Sequence, residues 1–416
     1  MKIPSVNKIL SEDRLKDAIN KFGRGVVVTA IRSALDELRK SKKVIGDIVD
    51  FVLEYIDAML FQRYVINATG DPLSQSVINE SIEPVIHPVS MIDFRDILDG
   101  LKSVSEHLFN SRQIIFLTNL TSALSIIRHV CFGDGKVGAI IATRDIFRVD
   151  GFDIDSAIRD SGFELIEVGC SNKVHLYDYK NAIDGASGCH VGVIITTSSP
   201  RLELTGFVKT TDIEEIDNLA KERDILHIHI MSDSLPVSPL TGLIQDEFIL
   251  SHLLKKIDGF IITETSDLMS LPKSSLLIFN KGSMKVDINY RNYSDYTIEI
   301  SQLVNILLSL YNYYNEDIVE KNLVLKCLNR DKEELQVVMD KVKKIFKPFD
   351  KKIEIIKDRT FLIGQERDRF YIPIRNKGLL VKLNELSVIL GNEDGLNIFD
   401  VRCVFDKDID FLKRRL

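Results

Sequence analysis

The chain of 416 residues contains no run of about 18 apolar residues, the length a membrane-spanning helix needs, so no transmembrane helix is expected. Its opening, Met1-Lys2-Ile3-Pro4, lacks the apolar core of a secretory signal, and none is expected. Cysteine is scarce. The five present, Cys131, Cys170, Cys189, Cys327 and Cys403, are odd in number and scattered among apolar or small neighbours. They show neither a disulfide framework nor metal-ligand spacing, which predicts reduced core thiols in a cytoplasmic protein. There is no internal repeat and no low-complexity tract. What is there has a globular balance, 45 % apolar and 28 % charged, on a chain long enough for two or three domains.

A net charge of −7 argues against a protein that coats nucleic acid over its whole surface. The charge is uneven. Residues 1–65 hold twelve Lys/Arg and nine Asp/Glu, a net of +3, which leaves −10 for residues 66–416. A basic module on an acidic body points to a local anionic partner, although such charges also form ordinary solvated helix faces.

Residues 5–58 have helical periodicity. Ser11 reads as the N-cap of a helix over 12–22 that Gly23 and Gly25 stop. Val28, Ile31, Ala34, Leu35 and Leu38 recur at helical spacing, as do Ile45, Ile48, Val49, Val52, Ile56 and Leu60. Lys16, Lys21, Arg24, Arg32 and Arg39 fall on or near the surface of this module.

From about residue 63, short apolar runs alternate with helical patterns. Strands are expected at 114–117, 138–142, 164–168, 191–195, 226–230 and 260–262. The helices between them are expected at 121–132, 153–161, 176–184 and 212–222. This alternation predicts an α/β domain with a mostly parallel sheet, which binds ligands beyond the carboxyl ends of its strands. One or two helices over 297–328 lead to a small α+β segment. That segment has a helix at 331–346, strands at 352–356, 361–363 and 370–374, a helix at 382–390 and a last strand at 396–404. The expected domains are residues 1–60, 61–315 and 316–416.

Several blocks carry a family resemblance. They are Met1-Lys2-Ile3-Pro4-Ser5-Val6, Phe22-Gly23-Arg24, Ala34-Leu35-Asp36-Glu37-Leu38-Arg39, Val65-Ile66-Asn67-Ala68-Thr69-Gly70 and Glu167-Val168-Gly169-Cys170-Ser171-Asn172-Lys173. His175-Leu176-Tyr177-Asp178-Tyr179 follows, then Thr197-Ser198 with Gly206-Phe207, and Gly391-Asn392-Glu393-Asp394-Gly395 with Asp400-Val401-Arg402. In this order they resemble bacterial selenocysteine synthase, L-seryl-tRNA(Sec) selenium transferase, over nearly the whole chain. The resemblance implies a fold-type I pyridoxal-phosphate transferase that converts seryl-tRNA to selenocysteyl-tRNA, with selenophosphate as donor. It also implies an N-terminal helical domain that docks on the selenocysteine tRNA, and a ring of dimers with active sites between subunits. The basic N-terminal module suits that docking on charge grounds.

The chemistry needs groups that this chain has exchanged. Residues 257–282 read as a strand (Phe260 to Ile262), a polar turn from Thr263 to Ser270, and a second strand (Leu276 to Phe279) closed by Lys281-Gly282. By the resemblance, a turn of this kind carries the lysine that holds pyridoxal phosphate. Here Asp267 and Pro272 frame Leu268, and the nearest amine, Lys273, falls beyond the proline. The aspartate that would keep the pyridine ring protonated is matched by His229. The phosphate turn is matched by Thr118-Asn119-Leu120-Thr121-Ser122, where Asn119, Thr121 and Ser122 retain anion-binding chemistry but read equally as helix caps. The loop after Gly70 is shortened by about nine residues by comparison with the family pattern, and an arginine goes with it. A second family arginine is replaced at Phe152-Asp153-Ile154-Asp155. His227 and His229 share a strand face, without Cys, Asp or Glu at ligand spacing, so no metal is expected.

These exchanges touch Schiff-base formation, ring electronics and donor binding. They favour a degenerate selenocysteine synthase without cofactor, acting as a tRNA-binding or protein-binding homo-oligomer. An active paralogue is a possible partner. Two alternatives stand beside it: an active pyridoxal-phosphate transferase that uses Lys273, and a structural oligomer that no longer binds tRNA.

Overall fold

The computed structural model describes residues 4–41, 47–59, 65–72, 94–280 and 318–416, with 295–298 and single positions between 302 and 313. Within 94–280 it leaves out 111, 150, 151, 187, 203–205, 239, 241, 266, 270 and 272. The chain divides into two compact units, residues 1–66 with 377–389, and residues 67–376 with 390–414.

In the first unit α1 (Val6–Leu10), α2 (Lys16–Phe22), α3 (Arg24–Ser41) and α4 (Ile48–Met59) close on their own core. Leu15, Val27, Ala30, Ile31, Ala34, Val52 and Ile56 meet there, fully buried, because apolar positions recur at three- and four-residue steps. Two sequence expectations fail locally. Ser11 closes α1 rather than opening a helix, with its hydroxyl donating to the Lys8 carbonyl at 2.8 Å. The N-cap is Ser5 instead. Gly23 does end α2, in the left-handed region at φ 84°, but Gly25 lies inside α3.

In the second unit β1 (Ile66–Ala68), of which only Ile66 belongs to the first unit, is followed by α5 (Phe94–Leu108), a helix that the sequence did not declare. Then come β2 (Gln113–Leu117), α6 (Leu120–Phe132), β3 (Val137–Ala142), the short strands β4 (Arg148–Val149) and β5 (Phe152–Asp153), and α7 (Ile154–Asp160). β6 (Glu164–Val168), α8 (Leu176–Gly185), β7 (His190–Ser198), α9 (Ile213–Glu222), β8 (Leu226–Met231), α10 (Leu250–Lys256), β9 (Phe260–Thr265) and β10 (Ser274–Phe279) complete the large domain.

Seven of these strands form one sheet in the order β2-β10-β9-β8-β7-β3-β6. It is parallel from β6 to β9, and β10 runs antiparallel between β9 and β2. β3, β9 and β10 are buried at every position; β3 and β10 are continuous apolar or small runs rather than alternating ones, and β9 is so up to Thr263, with a buried Glu264 near its end. β9 runs on through Thr265, so the first three residues of the turn expected from Thr263 are strand instead. Lys281-Gly282 lies outside the described residues.

Beyond the sheet, β11 (Ile356–Leu362) and β12 (Gln365–Pro373) form one antiparallel hairpin where three short strands were expected; residues 352–355 belong to no strand. Gly364 sits at its tip with φ 77°, its amide donating to the Pro200 carbonyl at 2.6 Å. A Cβ there would lie 2.7 Å from the Phe248 ring, so glycine is required on both counts. The helix expected at 382–390 is Lys377–Glu385, followed by β13 (Val388–Glu393). β14 (Leu396–Asp400) ends early, and a helix, Asp406–Arg415, takes the remainder.

Candidate functional site

The sheet's chemistry gathers toward the carboxyl ends of β7, β8 and β9. Parallel register sets Ile194 beside His227 and Thr196 beside His229, which puts the two imidazoles and the Thr196 and Ser198 hydroxyls on one face. Thr196 Oγ1 lies 2.9 Å from His227 Nε2 and 2.9 Å from His229 Nδ1. Ser198 Oγ is 3.0 Å from His229 Nε2. At the other end His227 Nδ1 meets Asp217 Oδ1 of α9 at 2.9 Å. The result is an unbroken line, Asp217–His227–Thr196–His229–Ser198.

Asp217 fixes its direction. Burial pulls that carboxyl up, yet hydrogen bonds from His227, Lys221 and the Asp258 amide overcome this and hold it well below the usual carboxylate range. The Gly259 amide adds a bond at 3.2 Å. Gly259 allows this close approach, since a Cβ there would lie 2.5 Å from the His227 carbonyl oxygen. An ionised Asp217 accepts only, so His227 carries its proton on Nδ1 and Nε2 accepts from Thr196. Thr196 oxygen then accepts from His229 Nδ1–H, and His229 Nε2 accepts from Ser198. Complete burial, reinforced by His227, lowers the His229 imidazole to about 3, so it is neutral.

Thr196, Ser198 and His229 line a cavity of about 380 Å³ together with Arg144, Tyr179 and Lys256. Arg144 Nε pairs with Asp145 Oδ1 at 3.1 Å, while its buried Nη1 has no hydrogen-bond partner among the described residues.

A second cluster lies at the ends of β8 and β9. Arg201 donates to Asp233 at 2.8 Å, Ser232 to Ser199 at 2.6 Å, and Ser234 shares a bond with Thr263 at 2.8 Å. Lys273 Nζ is 3.8 Å from Glu264 Oε2. Burial raises the Glu264 carboxyl to about 7, against the pull of Lys273 and with a push from Asp233.

Residues 100–364 match the profile of the L-seryl-tRNA selenium transferase family, and residues 2–39 that of the selenocysteine synthase N terminal. The chain belongs to the L-seryl-tRNA selenium transferase family. It is similar to the L-seryl-tRNA(Sec) selenium transferase of Campylobacter lari, 23 % identical over 441 aligned residues that cover 98 % of this chain and 96 % of that protein. The protein of the same name from Clostridium perfringens is 24 % identical over 367 residues, 80 % of this chain and 77 % of that one. Among solved structures, D-glucosaminate-6-phosphate ammonia-lyase shares the fold, with a TM-score of 0.56 at 13 % identity over 86 % of this chain and 96 % of that one. The large domain is thus a fold-type I pyridoxal-phosphate enzyme domain with a mostly parallel sheet.

The position that the resemblance matches to the cofactor lysine, Leu268, is a core residue. Leu268 sits in a single 3-10 turn, Asp267–Met269, and is fully buried in the main hydrophobic core. Its carbonyl accepts from Tyr313 Oη at 3.2 Å and Asn322 Nδ2 at 3.1 Å. Lys273 lies at the same sheet end, because the antiparallel β10 starts where β9 stops, but its side chain is 68 % exposed. Both ring nitrogens of His229 are already engaged by Thr196 and Ser198. Asn119 caps α6 by accepting from the Ser122 amide at 2.9 Å, and Ser122 bonds Thr118 at 2.6 Å; Thr121 is half-buried in the same turn. An anion-compatible helix start is present, but at the positions the resemblance matches to the amine and the carboxylate stand a buried leucine and a neutral imidazole with both nitrogens bonded. These residues do not fit a pyridoxal phosphate held as a Schiff base at this turn.

Asp153 caps α7 and pairs with Arg148, an acid in use where the resemblance has a cation. The loop that the resemblance reads as shortened lies, from residue 73, outside the described residues. In the N-terminal unit Lys16, Arg24, Arg32 and Arg39 are exposed, with Lys16 and Arg39 paired to Asp13 and Asp36 at 2.7 Å each. Lys21 is in α2, its side chain outside the described residues. Among the described residues no group of three or more His, Cys, Asp or Glu could hold a metal, and no helix is long and apolar enough to cross a membrane. Sequence reasoning had the two histidines on one face. It missed Asp217, Thr196 and Ser198 as their partners, and the cluster formed by Arg201, Asp233, Glu264 and Lys273.

Proposed function

We propose that this chain is a selenocysteine synthase-like protein that has left pyridoxal-phosphate catalysis and keeps an interaction role. Its ligand is the selenocysteine tRNA, held by the basic helical segment 1–60, while 61–315 and 316–416 serve as a catalytic-like body and a small domain. The chain acts as a cytoplasmic homo-oligomer. One observation supports the loss of chemistry: Leu268, which the resemblance matches to the cofactor lysine, is a fully buried core residue whose backbone is tied to Tyr313 and Asn322. The relatives' name, L-seryl-tRNA(Sec) selenium transferase, supports the tRNA partner.

The test has two arms. Protein incubated with pyridoxal phosphate is expected to show no borohydride-sensitive band near roughly 400–430 nm, where the internal Schiff base absorbs. A gel shift with the selenocysteine tRNA is expected to show salt-sensitive binding. A reducible band overturns the first half, and absent binding the second, which leaves a structural oligomer. A band that Lys273→Ala removes would establish the active alternative, which is favoured by the position of Lys273 beside Glu264 at the ligand-binding end of the sheet.

A further inference from the structure

The line Asp217–His227–Thr196–His229–Ser198 is more than a way of satisfying buried nitrogens, because it ends in a cavity. Ser198 is half-buried and lines it, with its hydroxyl directed at His229 Nε2. His229 alone is too weakly basic to keep a proton from a serine. It has no need to keep it. A proton arriving at His229 Nε2 releases the one on Nδ1 to Thr196 Oγ1, which hands its own to His227 Nε2. The positive charge then rests on His227, directly against the Asp217 carboxylate at 2.9 Å. A nucleophile, a neighbouring base and an orienting acid within hydrogen-bond reach are the parts that activate a serine. Here the base is split in two, with a threonine between the halves.

The cavity holds about 380 Å³, within the range for small ligands. Its lining carries both signs, Arg144 and Lys256 against Asp145, Asp212 and Glu247, and so does not select a strongly charged ligand. Arg144 offers a donor with no partner among the described residues, suited to a carbonyl oxygen that gains charge. We propose that Ser198 is a nucleophile toward small neutral carboxylic esters bound in this cavity, with His229, Thr196, His227 and Asp217 as its proton relay. Ser198 Oγ bonds to the ester carbonyl carbon, the ester C–O bond breaks, and the serine proton travels to His227. It returns along the same line to the departing alkoxide. Water then attacks the acyl-serine, giving up a proton to the relay, and regenerates the hydroxyl with release of the acid. This activity is independent of pyridoxal phosphate and of tRNA binding.

The test uses the full-length protein with p-nitrophenyl acetate and with a fluorophosphonate. The expected result is one acetyl or phosphonyl adduct by intact mass, mapped to Ser198, and nitrophenol release that the fluorophosphonate blocks. Ser198→Ala is expected to abolish both. Thr196→Val, which cuts the relay between the two imidazoles and leaves the Ser198–His229 Nε2 contact in place, is expected to slow acylation at least about 100-fold, the usual scale of a general-base contribution, while Thr196→Ser restores it. Asp217→Asn replaces Thr196→Val should the latter not fold by circular dichroism. No adduct on the wild-type protein, or an adduct on another residue, overturns the proposal. Equal rates for Thr196→Val and wild type overturn the relay, as do equally slow rates for Thr196→Val and Thr196→Ser.

Discussion

His227 and His229 share one hydroxyl: Thr196 Oγ1 lies 2.9 Å from Nε2 of the first and 2.9 Å from Nδ1 of the second. Both imidazoles are buried. Thr196→Val keeps the shape and removes the shared partner. It strands an acceptor on His227 and a donor on His229, so the expected loss is about 1–3 kcal/mol for each stranded group. Urea unfolding followed by circular dichroism measures it. A midpoint unchanged from wild type would mean that the threonine hydroxyl is not the bridge.

Leu268 gives a second expectation, about packing. Its side chain is fully buried, and the turn that carries it is held by Tyr313 and Asn322. Leu268→Ala should cost about 2–5 kcal/mol, the range for emptying a buried leucine site. Leu268→Lys should cost at least as much, because the ammonium would enter an apolar core with no opposite charge provided. A Leu268→Lys variant as stable as wild type would show that the site still accommodates an amine.

Glu264 sets a pH dependence. Its folded-state value is raised from 4.5 to about 7 by burial, so the folded protein holds this proton more tightly than the unfolded chain does. The folded state therefore loses stability as pH rises from about 4.5 to about 7, and the loss is complete above that window. Its size is on the order of 3 kcal/mol. Glu264→Gln should remove this slope and be more stable than wild type at pH 8, with little difference at pH 4. Chemical denaturation at both values checks it; parallel curves for the two proteins would contradict the assignment.

What the sequence made legible follows from period and burial. β3 and β10 are apolar or small throughout, and β9 is so over Phe260 to Thr263, because both faces of the sheet are covered, and such runs announce themselves. The ends of elements were harder. Ser11 has the chemistry of an N-cap, but Ser5 already opens α1, and Ser11 is left to bond back to Lys8. Gly25 carries a breaker's identity inside a helix whose other residues hold it. Residues 352–355 and 356–362 have similar composition, and only pairing with β12 separates loop from strand. The candidate site divides in the same way. His227 and His229 are visible as an alternating pair on β8, whereas Asp217 joins His227 from helix α9, ten residues upstream, through a contact that no spacing rule encodes.

The tRNA interaction yields the last expectation. Arg32 and Arg39 are seven residues apart on α3, two helical turns, and therefore lie on one stripe; Arg24 stands at the start of the same helix. All three are exposed. If they meet phosphates, each contributes a counterion-release term that carries no sequence information. Replacing Arg24 and Arg32 by Ala should weaken selenocysteine tRNA binding and shrink the slope of log affinity against log salt by about one for each phosphate no longer neutralised. Lys136→Ala, which removes an exposed lysine of the acidic body paired with Glu164, should leave the slope unchanged. Filter binding at several salt concentrations separates the outcomes. Equal slopes for all variants would place the nucleic acid away from α3, and a slope that falls with Lys136 would place it on the body.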